Sequence, residues 1–266
     1  MIADFHNDFL TAVPYAPIAP MAEQVECAVC ALFRGRRDFS ALQGLAENFL
    51  KSRPGNLFLG LEDVGYLATE SVETVSDWDP VYVSLTWNGE NALAGGCRSF
   101  GRLSARGERV VKELTVRGIA IDCAHLNPQS FCDVLDCGAR VVDSHTCLAG
   151  IRRHPRNLFD WQVREIIARK GLIGLTLVGD FLTEKTADAG SVFRQFDYAV
   201  QKFGADWFCF GTDFFGTEDL PAGIQSYRDL AQLKELFEKA GYPRQAMEGL
   251  LHENLQKFLF GAPQKA

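Results

Sequence analysis

Long apolar runs are missing from this chain of 266 residues. No stretch of about 18 consecutive apolar residues, the length that a membrane-spanning helix needs, occurs in it. The start, MIADFHND, carries charge at once, so it lacks the basic beginning and the apolar stretch of a signal peptide. From these two absences we expect a cytoplasmic protein that has no membrane partner.

A basic cluster is missing as well. The chain holds 27 Lys and Arg residues against 34 Asp and Glu residues, a net charge of −7, and the basic residues are scattered. A patch of positive charge is the usual footprint of a protein that binds nucleic acid or anionic lipid. We therefore expect neither as a partner, although the charge does not identify a substrate.

A second CxxC pair is missing too. Cys27 and Cys30 form a single CxxC, a spacing found in zinc knuckles and redox sites, but no other pair follows among the eight cysteines. Both lie in the apolar run VECAVCALF, and a chain of this size needs no disulfides to fold. We therefore expect buried or partly buried free thiols in a reducing cytoplasm. The same expectation covers Cys123, Cys132, Cys137, Cys147 and Cys209.

Eight apolar runs are spread along the chain, and several are continuously apolar, which is typical of parallel strands buried on both faces. Amphipathic stretches with helical spacing separate several of them. This alternation predicts a parallel sheet, and eight units predict a single closed (β/α)8 barrel over residues 1–266, an α/β fold. The predicted strands are 2–7, 25–33, 56–62, 81–86, 118–123, 140–144, 171–178 and 207–212. The predicted helices are 39–51, 104–117, 128–137, 160–170, 190–203 and 227–240, with N-caps at Ser104 and Asp160 and a last helix over 243–260.

Five polar residues stand at the C-terminal ends of predicted strands: His6, Asp8, Glu62, His125 and His145. The C-terminal ends of barrel strands meet at one face, where such folds carry their active sites. His6 and Asp8 form an H-x-D pair, whose side chains point to the same face of a strand. Imidazole with carboxylate suits zinc or a similar divalent ion, and a shared Glu62 allows two ions. The pattern predicts a metallohydrolase; the alternative for Glu62 is a salt bridge to an arginine.

Other polar residues lie near the same strand ends. Asp63, beside the glutamate, is expected to point away from the site. Asp122 and Asp143 are candidates for fixing the tautomers of the histidines. His154, in a loop, and His252, in the last helix, are not expected to bind metal.

Asp213 follows the last predicted strand, in CFGTDFFG. A carboxylate beside a metal-bound water can accept its proton and pass it to a leaving amine, while the alternative is an N-cap of the next turn. Arg152, Arg153 and Arg156 follow the sixth strand. An arginine there either pairs with a substrate carboxylate or is solvated loop charge.

The chain resembles the renal-type, or membrane, dipeptidases, which are metal-dependent barrels of the amidohydrolase superfamily. The combination of segments is more specific than any single one, and the segments occur in order between residues 3 and 216. They are ADFHND, LGLED, SLTWNGENALAGG, LSARGERVVKEL, GIAIDCAHLN, VVDSHTCLAGIRRHPRNL and FGTDFFG.

The resemblance implies a zinc-dependent hydrolase that cleaves the amide bond of dipeptides by means of a hydroxide bridging two zinc ions. The H-x-D pair and Glu62 are implied to hold one zinc, and Glu62 with the two later histidines the other. Asp213 is implied to transfer the proton, and Arg156, in HPRNL, to grip the substrate carboxylate. A homodimer is also implied.

Four departures from the family pattern concern the substrate. Trp87 stands where the family often has a histidine after L-T, and we expect it to line the side-chain pocket together with Phe214. An expected tyrosine after the seventh strand is replaced in the stretch 176–178. The usual D-F-D-G stretch keeps one acid, Asp213. The span between the first and third strands is short, which implies a more open cleft.

Two other functions stay open. One is a different amidohydrolase-type reaction on the same metals, such as N-acyl amino acid deacylation or lactone opening. The other is a catalytically inactive homologue that only binds metal.

Overall fold

The computed structural model describes residues 1–261, and its centre is a closed barrel of eight parallel strands. The strands are β1 (Ile2–Asn7), β2 (Val25–Phe33), β3 (Leu57–Glu62), β4 (Tyr82–Ser84), β5 (Ala120–Asp122), β6 (Val141–Thr146), β7 (Ile173–Leu175) and β8 (Phe208–Phe210). Each strand pairs with the next one along the chain, and β8 returns to β1, where Phe210 lies opposite Asp4. The predicted (β/α)8 barrel is confirmed, while residues 262–266 of the predicted domain lie outside the described residues.

Helices connect the strands and cover the outside of the barrel. The predicted segment 227–240 consists of a 3-10 turn, Tyr227–Leu230, followed by a helix. Further 3-10 turns lie at Gly65–Ala68 and Ala205–Trp207, and a π-helical turn spans Gly249–Glu253. The α-helices are α1 (Phe9–Ala12), α2 (Ala19–Ala22), α3 (Phe39–Ser52), α4 (Val72–Ser76), α5 (Ala105–Val116), α6 (Pro128–Asp136), α7 (Asp160–Ala168), α8 (Gly179–Leu182), α9 (Ala189–Phe203), α10 (Ala231–Lys239), α11 (Arg244–Glu248) and α12 (Asn254–Phe260).

The strand ends differ from the predicted ones on the side that carries the polar residues. β6 continues to Thr146, which pairs with Leu175, so His145 lies inside the strand rather than after it. β7 ends at Leu175 instead of residue 178, because the chain turns there towards α8. The predicted apolar runs thus include loop residues that are buried without belonging to the sheet.

The two predicted N-caps have different outcomes. Ser104 caps α5, since its side chain accepts a hydrogen bond from the backbone of Gly107. The prediction for Asp160 is wrong, because Phe159 holds the N-cap position of α7. Asp160 instead accepts hydrogen bonds from Tyr198 and Lys202 of α9, and so it links two neighbouring helices.

The interior of the barrel is filled by its own small apolar cluster. Phe5 of β1 packs edge-on against Tyr82 of β4 and against Phe258 of α12, with ring centroids 5.5 and 5.3 Å apart. Leu255 of α12 belongs to the same cluster, so the last helix closes the N-terminal end of the barrel. All eight cysteines are free: Cys97 and the seven that the prediction covers, of which Cys132 and Cys137 are partly buried and the other five are buried. Within residues 1–261, no helix combines the length and the apolar character needed to cross a membrane.

Candidate metal centre

The five predicted metal ligands converge at the C-terminal end of the barrel, and each is at least nine-tenths buried. Nitrogen and carboxylate oxygen atoms within each of three overlapping groups lie within 4.8 Å of one another. The groups are His6, Asp8 and Glu62; Glu62, His125 and His145; and His6, His145 and Asp213. Their ligand roles stay a prediction, but the fold places these side chains close enough to share metal ions.

Glu62, the last residue of β3, turns its two carboxylate oxygens towards different histidines. Its Oε1 lies 2.9 Å from Nε2 of His125, and its Oε2 lies 3.6 Å from Nε2 of His6. Each oxygen thus faces one of the two groups that Glu62 shares. A carboxylate in this orientation can offer one oxygen to each of two ions.

The second nitrogen of each later histidine is held by a polar neighbour. Nδ1 of His125 lies 2.9 Å from Oδ1 of Asn88, and Nδ1 of His145 lies 2.8 Å from Oγ of Ser144. The Ser144 hydroxyl donates to the Asp122 carboxylate at 2.6 Å, which leaves its oxygen to accept from the histidine. With the protons on Nδ1, both Nε2 atoms carry lone pairs, and these atoms are 2.9 Å apart.

Some of these supporting residues were predicted and others were not. Asp122 acts on the histidines through Ser144 rather than directly. Asp143 makes no hydrogen bond to a histidine ring among the described residues, and its Oδ1 is buried without a partner there. Asn88 and Ser144 were missed, although both immediately neighbour residues that had been identified, Trp87 and His145.

His6 is the most deeply enclosed member of the site. Its Nδ1 lies 2.8 Å from the Tyr82 hydroxyl, whereas its Nε2 is buried and has no hydrogen-bond partner in residues 1–261. Carboxylate oxygens of Asp8, Glu62 and Asp213 surround Nε2 at 3.5, 3.6 and 3.8 Å. An orphaned nitrogen among three carboxylates fits a bound cation at this point.

The three carboxylates around His6 favour a positive charge on or beside its ring. Burial alone would lower the pKa of His6, but the carboxylates of Asp8, Glu62 and Asp213 raise this pKa to about 10. Burial, together with the charges of Arg156 and His6, holds the pKa of His125 and of His145 well below the usual value. The two later histidines are therefore neutral, which is the form that binds metal.

Backbone contacts that continue beyond β1 and β8 place Asp213 next to Asp8. The amide of Asp213 donates to the His6 carbonyl at 3.0 Å, and the amide of Asp8 donates to the Phe214 carbonyl at 2.9 Å. A Cβ on Gly216 would lie 2.2 Å from Oδ2 of Asp8 and 2.5 Å from Oδ1 of Asp213, so only glycine leaves room for both. Burial and the charge of Asp8 raise the pKa of Asp213 to about 7.

An open cleft of about 360 Å³ lies above these residues. Trp87 and Phe215 line it, and each is about half exposed. The prediction for Phe214 is wrong: positive φ angles at Asp213 and Phe215 turn the chain, so Phe214 packs against Tyr227 in the core. Phe215, its neighbour, takes the place in the cleft that was predicted for Phe214.

Of the three candidate arginines, Arg156 alone lines the cleft. It is buried, its Nη2 donates to the His145 carbonyl at 2.8 Å, and its guanidinium lies over the Phe181 ring. Arg152 instead pairs with Asp180 and with Glu184 on the surface.

Asp63 and His154 lie near the candidate metal groups but belong to none of them. Asp63 accepts a hydrogen bond from Asn91 and stays outside the metal groups. His154 stacks on Phe181, with ring centroids 4.5 Å apart.

A larger cavity of about 1110 Å³, near the start of β1, is lined by neither the candidate metal ligands nor Asp213, so the smaller cleft is the candidate site.

A family comparison agrees with this geometry. The family model of the membrane dipeptidases, peptidase family M19, matches residues 56–264. The chain belongs to the membrane dipeptidase family. The match begins after His6 and Asp8, so it includes Glu62, His125, His145, Asp213 and Arg156 but not the H-x-D pair.

Individual relatives of this membrane dipeptidase family member are distant in sequence. A Klebsiella pneumoniae protein described as an uncharacterized protein in the pqqA 5' region is 26% identical over 163 residues, which is 59% of this chain and 60% of that protein. A metallo peptidase from Rhodobacter sphaeroides, liganded with a phosphinate mimic of L-Ala-D-Ala, is 20% identical with a TM-score of 0.85 over 97% of this chain and 98% of its own. Dipeptidase AC, of family M19, is 20% identical with a TM-score of 0.84 over 97% of both chains. At this identity the two structures show a shared fold.

Proposed function

We propose that this protein is a zinc-dependent dipeptidase with two metal ions bridged by Glu62. The observation that carries the proposal is the orientation of the Glu62 carboxylate, whose two oxygens face His125 and His6 separately. Membership of the membrane dipeptidase family supports the substrate class. Two of the metal groups then serve as the two sites, and they share Glu62.

The donor set fits zinc, because three imidazoles with carboxylates are typical zinc ligands. His6, Asp8 and Glu62 would hold one ion, and Glu62, His125 and His145 the other. When bound, the metal pair supplies Lewis acidity and lowers the pKa of water in the site. The hydrogen bonds at Nδ1 of each histidine keep the rings oriented for this role.

Asp213 is proposed to move the proton during hydrolysis. Its carboxylate is next to His6 and Asp8 and also lines the cleft. It accepts a proton from the attacking water and delivers it to the departing amide nitrogen, so that the leaving group departs as a neutral amine.

Arg156 is proposed to bind the terminal carboxylate of the dipeptide. It is the buried cation of the cleft, and its Nε has no hydrogen-bond partner in the described part of the chain. A guanidinium that is already fixed by the His145 carbonyl and by Phe181 loses little further freedom when it pairs with a carboxylate. Trp87, opposite His125, lines the side-chain pocket.

The test is hydrolysis of L-L and L-D dipeptides by the zinc-loaded protein, with metal content measured on the same samples. Asp213→Asn is expected to lower kcat by about 10²- to 10⁴-fold without loss of metal. His125→Ala is expected to lose activity together with one of the two metals, since His125 belongs to a single metal group. Two metals per chain without turnover of any dipeptide would reject the proposal. Hydrolysis of N-acyl amino acids or lactones by those samples would then point to another amidohydrolase reaction, and no hydrolysis at all to an inactive homologue.

A further inference from the structure

A second arginine, Arg37, lines the cleft that holds Arg156. It lies in the loop after β2, where Gly35 turns the chain with a φ of +52°. Its side chain is partly buried, and Nη2 donates to the Thr11 carbonyl at 2.9 Å. Within residues 1–261 no carboxylate forms a salt bridge with it, whereas nearby Arg34 faces Asp63 at 3.9 Å.

The cleft contains two arginines, Arg37 and Arg156. A dipeptide with uncharged side chains has a single carboxylate, and in the proposed function that carboxylate binds Arg156. The carboxylates on the floor of the cleft, Asp8, Glu62 and Asp213, are directed at the metal site. Arg37 therefore has no anionic partner from either source, in a chain whose net charge is −7.

The guanidinium of Arg37 keeps enough donors for a ligand. The bond to Thr11 uses one of its five N–H groups and fixes its position, which leaves the rest for a bidentate contact with a carboxylate. Phe33 and Trp87, whose ring centroids are 5.7 Å apart, line the same cleft. Because Arg37 is itself partly buried, a charge pair with it is stronger than a pair on a fully exposed surface.

We propose that Arg37 binds a second carboxylate of the substrate, an inference that rests on the proposed dipeptidase activity. The preferred substrates are then dipeptides that carry an aspartate or glutamate side chain. Arg156 binds the terminal carboxylate, and Arg37 distinguishes an acidic side chain from its uncharged amide.

A purely structural role of Arg37 makes a different prediction. Thr11 belongs to α1, and its hydroxyl lies 3.2 Å from Oδ1 of the metal-ligand candidate Asp8. If Arg37 only supported this segment, its loss would disturb Asp8 and lower metal content and kcat for every substrate alike. A specificity role changes KM, and only for acidic substrates.

The test compares matched pairs, Ala-Glu with Ala-Gln and Glu-Ala with Gln-Ala, each with L and D residues at the C-terminal position, on the zinc-loaded protein. We expect the wild type to favour one glutamate dipeptide over its glutamine partner by about tenfold in KM, which corresponds to about 1.4 kcal/mol. Arg37→Gln is expected to bring this ratio close to one, and Arg37→Lys to keep part of it. Arg36→Gln is the matched control, because Arg36 is exposed, lies next in the chain and does not line the cleft. It is expected to keep the wild-type ratio.

Three results would overturn the proposal: no preference in any pair, a preference that persists in Arg37→Gln, or an equal fall of kcat on all dipeptides together with loss of metal. If no dipeptide is hydrolysed, the dipeptidase proposal fails, and calorimetric binding of the same pairs decides on Arg37 alone. Tighter binding of a glutamate dipeptide that is lost in Arg37→Gln would keep the assignment. Equal binding of both members of each pair would reject it.

Discussion

The Tyr82 hydroxyl lies 2.8 Å from Nδ1 of His6, on the side of the ring opposite the nitrogen that faces the carboxylates. Both side chains are fully buried inside the barrel. Where a metal replaces the proton on Nε2, the proton that stays on Nδ1 is donated to the Tyr82 oxygen and the lone pair of Nε2 faces the metal. Tyr82 thus orients the histidine from beneath the metal centre without reaching the cleft.

Replacement of Tyr82 by phenylalanine tests this contact. Tyr82→Phe keeps the ring that packs against Phe5 but removes the hydroxyl, so the fold should persist while His6 loses its orientation. We expect the affinity for zinc to fall by about 10- to 100-fold, the usual effect of losing a hydrogen bond to a ligand histidine. Competition with a chelator measures the affinity, and circular dichroism checks the fold.

A matched control is Tyr242→Phe. The Tyr242 hydroxyl donates to Asp197 at 2.7 Å, on the helical layer and away from the metal groups. This variant also loses one tyrosine hydroxyl, but its zinc affinity should equal that of the wild type. Unchanged affinity in Tyr82→Phe would mean that Ser144, 3.2 Å from the same nitrogen, orients His6 by itself.

Metal stoichiometry provides a second prediction, because Glu62 belongs to two metal groups and His125 to one. Glu62→Gln keeps the size of the side chain but weakens both sites, so bound zinc should fall from about two per chain towards none. His125→Ala removes a ligand from a single site, so about one zinc should remain. Elemental analysis after dialysis measures both values. Two bound ions in Glu62→Gln would exclude the bridging role.

The barrel and the face that carries the candidate metal ligands were predictable because both follow from local patterns. Continuous apolar runs fix the strands, and the topology of a closed parallel barrel brings the ends of β1, β3, β5 and β6 to one face whatever the details of the loops. A histidine or carboxylate at such an end therefore predicts a site without any knowledge of distances.

The supporting residues could not be predicted, since their roles depend on long-range contacts. Tyr82 is 76 positions from His6 in the chain, and in the sequence it is one more aromatic residue of a strand. The prediction that Phe214 lines the cleft, where Phe215 does so instead, failed for another reason. The backbone turns at Asp213, where φ is positive, so the regular alternation of side chains does not continue, and residue types alone do not show that turn.

Gly60 provides the space that Tyr82 occupies, which leads to a third prediction. A Cβ at Gly60 would lie 2.5 Å from Cζ of Tyr82, inside a tightly filled barrel. Gly60→Ala is expected to lower the free energy of unfolding by about 1–3 kcal/mol, because the ring has to move away from the β3 backbone. Urea denaturation of the metal-free protein measures this change without a contribution from zinc.

The control for this variant is Gly44→Ala. Gly44 lies on the exposed side of α3, and no atom lies within 4 Å of its added Cβ. Alanine is favoured over glycine inside a helix, so this change should raise the free energy of unfolding by about 0.5–1 kcal/mol. Opposite signs for the two glycine-to-alanine changes would support the packing argument. A neutral Gly60→Ala would show that Tyr82 has free space around it.

The pairing of Asp160 with α9 leads to a pH-dependent prediction. Partial burial opposes ionisation of Asp160, but the hydrogen bonds from Lys202 and Tyr198 outweigh it and lower its pKa. A carboxyl group with a lowered pKa in the folded state stabilises the fold above its unfolded pKa of about 3.9, and this stabilisation is lost as the pH falls through the folded value. Asp160→Asn should therefore reduce the free energy of unfolding by about 0.5 kcal/mol at neutral pH, as expected for an ion pair that solvent partly screens. This difference should shrink towards zero in acid.

Urea denaturation of the wild type and of Asp160→Asn, repeated from about pH 8 down to about pH 3, measures this difference. Asp206→Asn is the control, since Asp206 is exposed and forms no salt bridge in the described part of the chain. It removes the same charge without breaking a helix–helix contact, so it should not reproduce the effect. A difference that stays constant down to about pH 3 would mean that Asp160 acts through hydrogen bonds that an amide can also make, and not through its charge.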